Sequence, residues 1–198
     1  MKLVVGLGNP GSRYARSRHN VGFRIVERFA EAHRIDFARK FQGRFGRGVL
    51  VAAGGQRLDV GVLEPQTYMN LSGAAVAEAL RFLPLGDVSS DLLVVLDDVD
   101  LPFGRLRLRP GGGSGGHKGL SHIVERLGRS DFARLRFGVD RPPGVQDTSD
   151  YVLQRFSSEQ EARLGECLST ALAAVEAVLF EGLVPAMNRY NREAPAEP

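Results

Sequence analysis

The sequence predicts an α/β fold: a single domain built on a twisted mixed β-sheet, flanked by helices on both sides. Three observations carry this. Apolar runs of strand length alternate with amphipathic stretches of helical period, the pattern of strands interleaved with helices. Leu92 to Leu96 is five apolar residues in a row, the mark of a central strand covered on both faces. Two further apolar runs, 47–53 and 57–63, bracket Gly54-Gly55 and read as a hairpin, which makes the sheet mixed.

The elements follow in order. Residues 2–6 form the first buried strand, which empties into the glycine-punctuated loop Gly6-Leu-Gly-Asn-Pro-Gly11. A helix over 21–34 places Val21, Ile25, Val26, Phe29 and Ala30 on one face and Arg24, Glu27, Arg28 and Glu31 on the other. After the hairpin comes the polar loop Pro65-Gln-Thr-Tyr-Met-Asn70, then a helix over 71–83 rich in small residues. The central strand ends in Asp97-Asp98-Val99-Asp100. A strand over 104–109 leads through Gly111–Gly119 to a helix near 119–127, and a strand over 134–139 follows. A long helix over 158–181 closes the domain, with Ser158 and Glu161 read as its capping box. The domain is expected to span 1–190, with 191–198 a disordered tail.

Composition narrows the function. With 43% hydrophobic and 25% charged residues among 198, the chain reads as globular. No run approaches the roughly 18 apolar residues of a membrane span, and the first residues lack the profile of a secretory signal. Cys167, the single cysteine, excludes a disulfide framework and a cysteine zinc cluster. The expectation is a cytoplasmic monomer with no membrane association and no obligatory protein partner.

The net charge of +3 is unevenly placed. Residues 105–141 hold nine Lys or Arg against Glu125, Asp131 and Asp140, while the remainder carries 17 basic and 20 acidic side chains. Clustered arginine is the electrostatic footprint of a polyanion partner. The strand period of two puts Arg105, Arg107 and Arg109 on one face, and Arg134 and Arg136 repeat the device. With Lys118 these form the expected phosphate-binding face, four of the six facing outward.

Two glycine motifs mislead. Gly6, Gly8 and Gly11 satisfy the dinucleotide fingerprint, but Pro10 removes a donor and helical periodicity begins only at Val21, so no helix N-terminus meets a pyrophosphate. Gly111–Gly119 fails as a P-loop, because His117 precedes Lys118 and Gly119 stands where Ser or Thr is needed. No activated nucleophile is evident: Cys167 sits at an apolar helix position, and neither Ser72 nor Ser114 lies in a G-x-S-x-G elbow.

What remains is a set of polar residues at strand ends and helix starts: Asn9, His19, Tyr68 with Asn70, and Asp97 with His117. Singly, His19 reads as a surface histidine, Asp97 as a turn cap and Asn70 as a helix cap. Jointly they offer an imidazole with a carboxylate to fix its tautomer, the pairing a general base needs. A metal site from His19, Asp97, Asp98, Asp100 and His117 stays open as an alternative.

Four segments carry a resemblance to a known family. They are G-L-G-N-P-G-x-x-Y-x-x-x-R-H-N at 6–20, P-x-T-Y-M-N-x-S-G at 65–73, D-D-x-D-L-P-x-G at 97–104 and G-G-G-x-G-G-H-x-G-L at 111–120. In order and spacing they resemble bacterial-type peptidyl-tRNA hydrolase, from residue 2 to about 190. The resemblance implies hydrolysis of the ester between a peptide and the terminal ribose of tRNA, with peptidyl-tRNA, through its acceptor stem and 3′ end, as the partner and no metal or organic cofactor. It implies His19 as general base, Asp97 as its orienting carboxylate, Asn9 as the contact to the blocked amine and Asn70 as the residue fixing water and substrate. Tyr14, Tyr68, Met69, Asn70, His117 and Lys118 would bind the 3′ end and peptide. Three positions depart from the family pattern: Lys118 stands where it usually has asparagine, Leu96 where a polar or aromatic residue is common, and Ser114 where histidine is. The alternatives are a catalytically silent RNA-binding relative and a metal-dependent phosphoesterase using Asp97, Asp98 and Asp100.

Overall fold

The computed structural model describes residues 1–52 and 54–192. Among these residues seven strands form one sheet: β1 (Lys2–Gly6), β2 (Ala38–Lys40), β3 (Gly43–Val51), β4 (Arg57–Pro65), β5 (Leu92–Asp98), β6 (Leu106–Arg109) and β7 (Ala133–Gly138), in the order β2-β3-β4-β1-β5-β7-β6. The centre is parallel, with β1 between β4 and β5 and β7 beside β5. Both edges are antiparallel, from the β3–β4 hairpin with β2 on one side and β6 against β7 on the other. This is the expected mixed sheet.

Helices cover both faces: α1 (Val21–Ala32), α2 (Ser72–Phe82), α3 (Val88–Asp91), α4 (Lys118–Leu127), α5 (Thr148–Leu153), α6 (Ser158–Phe180) and α7 (Leu183–Tyr190). Alternation along the strands divides the core. Val4, Val60, Val62, Leu93 and Val95 pack toward α1 and α6, while Leu3, Val5, Leu63, Val94 and Leu96 pack toward α2 and α4. The loop glycines permit close approach. A Cβ on Gly6 would meet the Gly22 carbonyl oxygen at 2.5 Å, and a Cβ on Gly22 would meet the carbonyl oxygens of Leu7 and Val95 at 2.5 Å. These residues seat α1 against the end of the central strands, whereas the dinucleotide fingerprint would need the helix to begin at Gly11. Among the described residues no helix is long and apolar enough to cross a membrane.

Several expectations are corrected. The long helix is capped one residue early: Ser157 Oγ accepts from the Gln160 amide at 3.2 Å, and Gln160 Oε1 accepts from the Ser157 amide at 3.1 Å. Asn191 does not belong to a disordered tail, since its Oδ1 accepts from Leu108 N at 2.7 Å and its Nδ2 donates to Leu108 O at 3.0 Å. Residues 193–198 of the expected tail lie outside the described residues. Four further elements, β2, α3, α5 and α7, lie outside the sequence reading. The edge strand β2 is exposed throughout, α3 and α5 are too short for helical periodicity, and α7 carries Pro185 in its first turn. A proline there lacks only an N–H for which the first turn has no intrahelical acceptor, although in sequence it reads as a terminator.

Candidate active site

The polar residues gather where parallel β-strands end, at their carboxyl edge. The β1 loop brings Asn9, a 3₁₀ turn at Arg18–Asn20 brings His19, another at Met69–Leu71 follows β4, β5 ends in Asp97-Asp98, and α4 starts from His117. Asn9, His19, Met69, Asn70, Asp97 and His117 all line one cleft of about 670 Å³, as do Tyr68 and Lys118. Tyr14 is not among its lining residues; its ring lies 5.3 Å from the Arg13 guanidinium.

Asp97 is buried, and burial alone pushes a carboxyl toward its neutral form. His19 and His117 reverse this and hold it well below the usual carboxylate range. His19 Nδ1 lies 2.8 Å from Asp97 Oδ1 and 3.0 Å from Oδ2. A carboxylate only accepts, so Nδ1 carries the proton and Nε2 keeps its lone pair for the cleft. His117 Nε2 lies 3.0 Å from Asp97 Oδ1, while its Nδ1 accepts the Leu120 amide at 3.2 Å as the cap of α4.

The same geometry bears on a metal. His19, Asp97 and His117 each place one ligand atom within 4.8 Å of the others. Ligation through His117 Nε2 would need that nitrogen free of hydrogen, which moves the proton to Nδ1 against the Leu120 N–H. The carboxylate therefore fits two ring donors better than a cation.

Asn9 is oriented by its neighbours. Its Oδ1 accepts from Met69 N at 2.8 Å. Asn20, which sequence reasoning had not assigned, clamps the Asn9 backbone, with Oδ1 accepting from Asn9 N at 2.9 Å and Nδ2 donating to Asn9 O at 2.9 Å. With Oδ1 directed at the Met69 amide, Asn9 turns its Nδ2 hydrogens to the cleft. Asn70 is exposed, and it does not cap α2, whose cap position is Leu71.

One cleft wall is α5, which the sequence reading had missed. Asp147 caps it by accepting from Ser149 N at 2.7 Å, a local signal in Asp147-Thr-Ser that needed no periodicity. Arg18, next to His19, stacks 4.1 Å over Tyr151 of this helix and donates from its backbone to Gln154 O at 3.0 Å.

The arginine face is corrected more heavily. In the antiparallel register Arg107 stands opposite Arg136 and Arg109 opposite Arg134, so four guanidinium-bearing side chains share one face beside the glycine loop. Arg134, however, is 0% exposed and donates to Gly112 O, Gly113 O and Ser130 O at 2.8, 3.2 and 2.7 Å. Burial, helped by Arg136, lowers its pKa to about 10. It holds the loop from beneath and is closed to a phosphate. Arg136 bonds Asp98 Oδ2 and Gly113 O, each at 3.0 Å, and borders the cleft. Arg105 donates to Asn191 O at 2.7 Å. Only Arg107, Arg109 and Lys118 are exposed, three rather than the expected four.

Comparison with known proteins gives the family. The family model described as peptidyl-tRNA hydrolase matches residues 3–197. The peptidyl-tRNA hydrolase of Chloroflexus aggregans is 53% identical over 192 residues, covering 96% of this chain and 99% of that protein. That of a Roseiflexus species is 50% identical over 196 residues, covering 98% and 88%. The crystal structure of peptidyl-tRNA hydrolase from Acinetobacter baumannii superposes with a TM-score of 0.86 at 39% identity, covering 99% of this chain and 97% of that one. The chain belongs to the peptidyl-tRNA hydrolase family.

Proposed function

We propose that this protein hydrolyses the ester joining a peptide to the terminal ribose of tRNA, using water activated by His19. The observation that carries the reading is the His19–Asp97 pair, with Nδ1 committed to a buried carboxylate and Nε2 left for the cleft. An ester has a leaving group good enough that an oriented water, a base and a polarised carbonyl suffice. Asp97 fixes the ring and stabilises it once protonated. Asn70 holds water and substrate, and Tyr68 and Met69 pack against the 3′ end and peptide.

Asn9 supplies discrimination. With Oδ1 occupied, its Nδ2 offers hydrogens to the acyl oxygen of a blocked amine, whereas a free ammonium would bring donor against donor. Arg107 and Arg109, exposed on the edge strand, take backbone phosphates of the acceptor stem, and Lys118 takes a phosphate nearer the 3′ end. The protein acts as a cytoplasmic monomer and needs no metal. Cleavage of N-acetyl-aminoacyl-tRNA with chelator present tests the reading. Turnover under chelation supports it, loss of turnover favours a metal enzyme, and binding without cleavage favours a silent RNA-binding relative.

A further inference from the structure

His117 performs two tasks with one ring. Its Nδ1 accepts the Leu120 amide at the start of α4, and its Nε2 donates to Asp97 Oδ1. A ring whose Nδ1 lone pair is in use carries its single proton on Nε2. A second proton would set Nδ1–H against the Leu120 N–H, so the cap position holds His117 neutral. Burial works in the same direction, opposed by Asp97 and assisted by the Arg136 charge and, whenever that ring takes up a proton, by His19. The charged and titratable groups around it are Asp97 on β5, His19 with its ring centroid 4.9 Å away, Arg136 on β7 and Lys118 on its own helix.

Oδ1 of Asp97 is therefore shared between two imidazoles, of which only His19 is free to take a proton from water. We infer that His117 is a positioning residue for the base: its neutral Nε2–H ties up part of the Asp97 charge and fixes the carboxylate plane, so His19 stays unprotonated to lower pH than an unshared pair would allow. The inference rests on the reading of His19 as general base. It differs from a substrate-binding role, since His117 spends both ring nitrogens on the protein.

The test is His117→Asn, with His117→Ala beside it. Asparagine is a favoured helix cap but too short to reach Asp97, so it keeps the helix start and loses the shared bond. The titration midpoint of the His19 ring, followed by NMR in the free protein, should rise by roughly half a pH unit in both variants, a threefold change. The acid limb of kcat/KM should move up equally, and only the alanine variant should lose thermal stability. An unmoved midpoint in both variants overturns the inference, whatever happens to turnover. A wild-type protein that fails to cleave peptidyl-tRNA would instead overturn the functional reading, because the NMR midpoint needs no reaction.

Discussion

Two carboxylates are buried at the same edge of the sheet, on strands flanking β1, and they behave oppositely. Asp97 ends β5 and Glu64 lies near the end of β4. Asp97 receives ring N–H groups from His19 and His117 and stays ionised. Glu64 is 0% exposed, and among the described residues neither of its oxygens has an aligned hydrogen-bond donor. Arg44 lies 2.9 Å from Oε2 but is shared with Glu27. Burial, with the Glu27 charge added, pushes the Glu64 carboxyl up to about 8, only partly offset by Arg44. Burial alone neutralises an acid, whereas burial with aimed donors makes a charge that orients a base.

Breaking the Asp97 arrangement has the largest expected effect. His19→Ala removes the base and should lower kcat by about 10² to 10⁴, the usual share of a positioned general base. Asp97→Asn should cost less and move the acid limb to lower pH, because the protonated ring loses its counter-charge. Single-turnover cleavage across pH separates the two. Near-wild-type turnover in His19→Ala would remove the assignment altogether.

The Glu64 side of the comparison is read in stability. Its folded pKa of about 8 lies above its ordinary 4.5, so the native state holds a proton that the unfolded chain releases. Its contribution is complete below about 4.5 and is lost as pH rises toward 8. Asp97, depressed instead, contributes above the ordinary carboxylate range and loses that contribution only as pH falls below it. Urea unfolding should therefore show wild-type stability declining from about pH 5 to 8, at no more than about 1.4 kcal/mol per unit from this group. Glu64→Gln should flatten that decline. An unchanged slope would mean that Arg44 keeps the group ionised.

Asn9 carries the same lesson into recognition, since its one spare polar group is fixed by what the other is bonded to. Asn9→Ala should reduce the kcat/KM ratio of blocked over unblocked aminoacyl-tRNA by about tenfold, the worth of one well-placed polar contact. A ratio that survives the substitution would assign discrimination elsewhere.

The legibility of the molecule divides along similar lines. The central strands and the larger helices were readable because Leu92–Leu96 or the Val21–Ala30 stripe states its burial in residue type. His19, Asp97 and Asn9 were readable as a group because each sits at an element boundary. What stayed hidden depends on partners distant in sequence. Nothing in Arg134-Leu-Arg136 tells that the first arginine is swallowed by three carbonyls while the second meets Asp98. Nor does Glu64 announce, near the end of its strand, that among the described residues its oxygens find no aligned donor.

The smallest expected effect extends the comparison to cations. Arg134 is buried with carbonyl acceptors, as Asp97 is buried with donors, whereas Arg107 and Arg109 stand free on the edge strand. Their free ends suit phosphates held in water, where the attraction is long-ranged and screened by salt. Arg107→Ala should raise KM a few-fold, leave kcat nearly unchanged, and flatten the dependence of log KM on log salt by about 0.7 to 0.9, one phosphate contact. Arg134→Ala should instead release the glycine loop, lower thermal stability and reduce kcat, with little change in the salt slope. A short substrate lacking the tRNA body separates the two, since it should ignore Arg107→Ala and still suffer from Arg134→Ala. Equal losses on short and full-length substrates with Arg107→Ala would show that this arginine supports the fold, and the phosphate-binding face would then have to be sought elsewhere.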